Sequence, residues 1–138
     1  MSNVARDRYL EGRIQGASGP RLRSMLVDRA YQLTRSVAQA LAEQRFEEIS
    51  ADSAKLRAIL RELFVTVDAK SSETARHVRT LYEYLYETTT LALLRRNVEE
   101  LAQVEELLRF EAETWRTVAT QHENREADAA LGPFSASA

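Results

Sequence analysis

The chain has 138 residues, 44% of them apolar and 29% charged, with 19 basic and 21 acidic side chains and a net charge of −2. That is enough chain for one domain with a real core, and the near-balanced charge offers no overall basic field for nucleic acid or anionic lipid. There is no cysteine, so a disulfide framework and a thiolate metal site are excluded, and four glycines and two prolines are few for a β-rich fold.

Residues 1–17 are polar with isolated apolar positions at Tyr9, Leu10 and Ile14, and read as an N-terminal arm without the apolar stretch of a secretory signal. No apolar run approaches the roughly 18 residues of a membrane span, so membrane insertion is not expected and a cytoplasmic protein is. Ser18-Gly19-Pro20 is a helix-start signal, a cap candidate followed by proline in the first turn. From there Leu22, Met25, Leu26, Ala30, Leu33, Val37 and Leu41 recur at spacings of three and four, the mark of an amphipathic helix.

A second stripe, Phe46, Ile49, Leu56, Leu60, Leu63, Phe64 and Val67, follows without an intervening Gly or Pro. Phase separates the two. At about 100° per residue, continuing the first helix would carry the second stripe to a different face, so a turn is predicted near Gln44–Arg45.

Asp68 to Ser72 reads as a loop whose serine caps a third helix from about Glu73 to Arg95-Arg96. Asn97-Val98-Glu99-Glu100 has a capping-box pattern, and the fourth helix carries Leu101, Val104, Leu108, Ala112, Trp115 and Ala119 on one face. The pattern weakens after about Arg125. The expected fold is all-α, an antiparallel four-helix bundle over residues 18–125, with 1–17 as arm and 126–138 as a flexible tail.

Chemistry finds no footing. A di-carboxylate metal site in such a bundle needs Glu-x-x-His on two helices, but Thr74 precedes His77 and Ala119 precedes His122 at that spacing. There is no nucleophile elbow and no phosphate-cradling glycine loop. No enzyme activity, cofactor, metal or nucleic-acid partner is expected.

What remains is surface. The third helix contains LYEYLYETTTLALL, residues 81–94, which is unusually apolar. Val78, Leu81, Tyr82, Leu85, Thr88, Thr89, Ala92 and Leu93 fill an arc wide enough for a core, with Tyr86 at its edge. Tyr84 and Leu91 fall outside it. They either pack on the edge of a neighbouring helix or belong to an apolar groove built to receive another helix. Leu107 at the border of the fourth stripe, and Phe110 outside it, raise the same question.

Three blocks resemble the FliS family of flagellar export chaperones. The first is Tyr9, then Ala17-Ser18 and Leu22-Arg23-Ser24-Met25-Leu26-Val27-Asp28; the second is Leu81-Tyr82-Glu83-Tyr84-Leu85. The third runs Asn97-Val98-Glu99-Glu100-Leu101, Val104, Leu107-Leu108, Thr114-Trp115. Gly19, Val27, Arg29, Thr89 and Leu93 depart from the family's usual residues.

The resemblance implies a four-helix bundle that binds the disordered C-terminal segment of flagellin, prevents premature polymerisation, and meets components of the flagellar export gate. It also implies that the arm with Tyr9 can occupy part of the partner site. The expected partner-binding residues are Tyr9, Leu10, Ile14, Met25, Val27, Tyr31, Tyr82, Tyr84, Tyr86, Leu91, Leu107 and Phe110. A self-associating helical adaptor, with the surplus apolar surface forming a homodimer, is the alternative.

Overall fold

A computed structural model describes residues 19–136. Four helices occupy them: α1 Gly19–Ala42, α2 Phe46–Val65, α3 Glu73–Arg95 and α4 Val98–Ala136. Each packs on its neighbours in the chain, and α1 packs on α4 to close the ring. Short connections make successive helices antiparallel, so the expected four-helix bundle is the observed one. The expected contacts Tyr9, Leu10 and Ile14, and the proposed Ser18 cap, lie outside the described residues.

The predicted break between the first two helices is real. α1 ends in a Schellman motif, with the Arg45 N–H donating to the Ala40 carbonyl at 2.8 Å and the Gln44 N–H to that of Leu41 at 3.2 Å. Gln44 takes the left-handed conformation, φ 58°, usually reserved for glycine. α3 ends in the same way: Asn97 N–H reaches the Ala92 carbonyl at 2.8 Å, Arg96 N–H reaches that of Leu93 at 3.3 Å, and Arg96 has φ 53°. Both turns lie at one end of the bundle, where the Arg96 guanidinium sits 4.2 Å from the centre of the Phe46 ring.

The starts of α3 and α4 follow the cap chemistry, whereas α2 begins after Arg45 without a side-chain cap. Ser72 Oγ accepts the Ala75 N–H at 2.9 Å, and Asn97 Oδ1 accepts that of Glu100 at 3.1 Å. α2 stops two residues before the end of its predicted stripe. α4 departs from expectation in the other direction: it passes Arg125 and continues through Ala127, Ala129 and Ala130, good helix formers, until Gly132 leaves helical geometry at φ 57°. The tail boundary at 126 is therefore corrected to a longer helix.

The main core joins all four helices through Val27, Leu33, Leu56, Leu60, Leu85 and Leu108 among others, and a smaller cluster of Val37, Leu41, Ala92 and Leu101 fills the turn end. Two threonines are buried on it. Thr34 hands its hydroxyl to the Ala30 carbonyl at 2.8 Å, whereas the Thr89 hydroxyl has no hydrogen-bond partner. On the rim, α1 is tied to α4 by Arg21–Glu123 at 2.8 Å and Asp28–Arg116 at 2.9 Å. The Arg21 hydrogen bond is the main reason the Glu123 carboxyl lies below its ordinary range.

Candidate docking surface

The α3–α4 seam is built differently from the α1–α4 seam. Outside it runs a groove of about 310 Å³ lined by Thr74, His77, Val78 and Leu81 from α3 and by Glu111, Thr114, Trp115 and Val118 from α4. Helical spacing extends the α3 lip: His77, Leu81, Tyr84, Thr88 and Leu91 follow one another at steps of three and four. On α4 the same steps lead from Val118, Thr114 and Glu111 to Leu107. Tyr84 is 51% exposed, Leu91 42% and Leu107 39%, which is a large apolar display for side chains of this size.

By helical spacing Tyr84, Leu91 and Leu107 fall on the α3–α4 side of their helices. Phe110 is more exposed still and lies farther round α4, away from the core stripe. The other described members are placed elsewhere. Val27 and Tyr82 are 0% exposed and belong to the core, so the expectation that they meet a partner is corrected. Their block similarity is a matter of packing: Val27 is in phase with Ala30, Thr34 and Val37, and Tyr82 with Leu85 and Thr89.

Tyr86 is partly buried between α2 and α3. Its ring meets Phe64 edge-on at 5.6 Å, and its hydroxyl accepts an Arg57 N–H at 3.3 Å. Tyr31 is half-buried on α1, with the Arg35 guanidinium 5.8 Å from its ring centre and the Arg109 cation of α4 nearby. Met25 is half-buried on α1 as well. None of these three lines the α3–α4 groove, and neither do Tyr84, Leu91 and Leu107, which continue from it only by helical spacing.

Behind the groove lies a group that the sequence reading passed over. Arg23 extends from α1 into the bundle, with its guanidinium 5.0 Å from the Tyr82 ring centre and 4.9 Å from that of Trp115. Its Nη2 donates to the Leu63 carbonyl of α2 at 2.6 Å, and its Nε is buried without a hydrogen-bond partner. The Tyr82 hydroxyl donates to Glu111 Oε1 at 2.8 Å. Burial, then the Glu111 carboxylate, push the Tyr82 hydroxyl well above the ordinary tyrosine range, with the Arg23 cation opposing. A signal was there to find: Arg23 is in phase with Val27, Ala30, Thr34 and Val37, a cation on the core stripe of α1.

The turn end carries a second exposed apolar display, Phe46, Leu94 and Val98, with the Arg96 guanidinium over the Phe46 ring. Among the described residues no group of three His, Cys, Asp or Glu side chains is placed to hold a metal ion, and no helix is long and apolar enough to cross a membrane. The arrangement offers exposed apolar area of the kind that an amphipathic helix can cover.

No curated protein matches the chain. A family model described as flagellar protein FliS matches residues 1–122, which include all of α1, α2 and α3 and most of α4. An all-α bundle with surplus apolar surface, matched over that length, belongs to the FliS family of flagellar export chaperones.

Proposed function

We propose that this protein binds the disordered C-terminal segment of flagellin and that the α3–α4 groove receives it as an amphipathic helix. The observation that carries the reading is the exposed apolar line Tyr84, Leu91 and Leu107, continuous by helical spacing with a groove walled by Leu81, Trp115 and Val118. A segment that polymerises through an apolar face is kept apart from its copies when that face is covered. Covering needs a stoichiometric partner and no turnover, because binding one form withdraws it from every competing equilibrium. A disordered client loses ordering entropy on docking, which keeps affinity moderate for the area buried and makes release to an export gate feasible. The protein acts in the cytoplasm, before export.

Titration calorimetry against the C-terminal segment of the flagellin from the same source tests this. The expected result is a one-to-one complex with a negative heat-capacity change and a gain of helical signal in the segment. Absence of a stoichiometric complex overturns the reading, and a stable dimer by light scattering that ignores flagellin supports the self-associating adaptor instead.

A further inference from the structure

We infer that Arg23 is a positioning residue for the docking groove, setting its floor from the opposite side of the bundle. The inference rests on the docking role just proposed for that groove. Trp115 presents one part of its ring to the groove and another to the Arg23 guanidinium, at 4.9 Å. The guanidinium also lies 5.0 Å from Tyr82, whose hydroxyl holds Glu111, a second residue of the groove wall, at 2.8 Å. One side chain from α1 thus supports two groove residues on α4, directly through Trp115 and indirectly through Tyr82 and Glu111. Its hydrogen bond to the Leu63 carbonyl fixes the guanidinium against α2.

A bundle needing only stability has a simpler choice at this position. Arg23 follows the phase of Val27 and Ala30, where an aliphatic side chain would fill space without stranding a buried Nε–H. A flat, weakly hydrated cation suits a different task, because it can stack on two aromatic faces while its edge donates to a carbonyl. A lysine ammonium offers a point charge and no plane, so it cannot hold the indole by stacking.

Trp115 is the chain's single tryptophan, so its fluorescence reads the groove floor alone. The test compares Arg23→Met and Arg23→Lys with Val37→Ala, a truncation in the separate core cluster at the turn end. For both Arg23 variants the expected result is a shifted Trp115 emission, greater quenching by acrylamide, and affinity for the flagellin C-terminal segment weaker by about tenfold. Val37→Ala should lower the unfolding midpoint while leaving emission, quenching and affinity at wild-type values.

Wild-type affinity in the Arg23 variants overturns the inference, as does an equal loss in Val37→Ala. If the wild-type protein binds no flagellin segment, the docking role falls. In that case unchanged Trp115 emission and quenching on replacing Arg23 overturn the positioning role separately. Should Arg23→Met fail to fold, Arg23→Lys alone decides, and wild-type emission, quenching and affinity in that variant overturn the inference.

Discussion

The two flanks of α4 are made from the same helix and do opposite things. On the flank facing α1, charged pairs close the rim, Arg21 with Glu123 and Arg116 with Asp28, over a packed apolar interior. On the flank facing α3 the exposed residues include Leu107, Tyr84 and Leu91, and the polar link across the seam is that of the buried Tyr82 to Glu111. A rim of charge satisfied by water and by its partner has nothing to gain from a further helix. An apolar rim has. The difference shows that a seam between two helices is finished or left open by its outermost residues, while the core below can be equally dry.

The sharpest way to break this contrast is to charge the open rim. Tyr84→Glu with Leu91→Glu should weaken flagellin binding by about a hundredfold, from two apolar contacts worth about 1.5 kcal/mol each, and leave the bundle folded. Calorimetry and circular dichroism together check both halves. Unfolding of the double variant would place these residues in the core and remove the groove.

Next comes the polar link across that seam. Tyr82→Phe deletes the donor to Glu111 and should lower stability by about 1.5 kcal/mol in denaturant unfolding, with the loss concentrated in the α3–α4 seam. Hydrogen exchange would locate it. At a site that does not distinguish the flanks, Thr89→Val should raise stability by about 1 kcal/mol, because the buried hydroxyl has no partner.

The two left-handed turn residues offer an internal control of similar size. Gln44→Gly should stabilise by about 1 kcal/mol by relieving a conformation that costs a side chain. Arg96→Gly should gain less, since it also removes the cation resting on Phe46. Thermal melts of the two variants side by side resolve the difference.

The smallest effect belongs to the closed rim. Glu123 has a lowered folded-state pKa, so its pairing with Arg21 contributes above the ordinary carboxylate range and is lost as pH falls through the lowered value. Glu123→Gln should therefore flatten the acid limb of the stability curve slightly, and high salt should shrink the effect.

Much of this was legible from residue spacing. The phase shift between Leu41 and Phe46 located the first turn, Ser72 and Asn97 announced two helix starts, and Tyr84 and Leu91 stood off the core stripe as they do in the folded chain. The misplacements have physical causes. Val27 and Tyr82 entered the partner set through block similarity although their phase is that of the core. Arg23 was overlooked because a cation is read as solvent-facing, yet its guanidinium lies beside two rings and the side chain is half-buried. The length of α4 was missed because alanines carry a helix without leaving an apolar stripe to count.

That length has a practical side. α4 meets the start of α1 at Glu123 and continues as helix to Leu131, about 12 Å farther at 1.5 Å per residue, with its side chains in solvent. A rod of that kind is a natural mounting point. A single dye placed near Asp128 would ride on that helix, and energy transfer from it to a labelled flagellin segment would test whether the segment docks in the groove and how far along it.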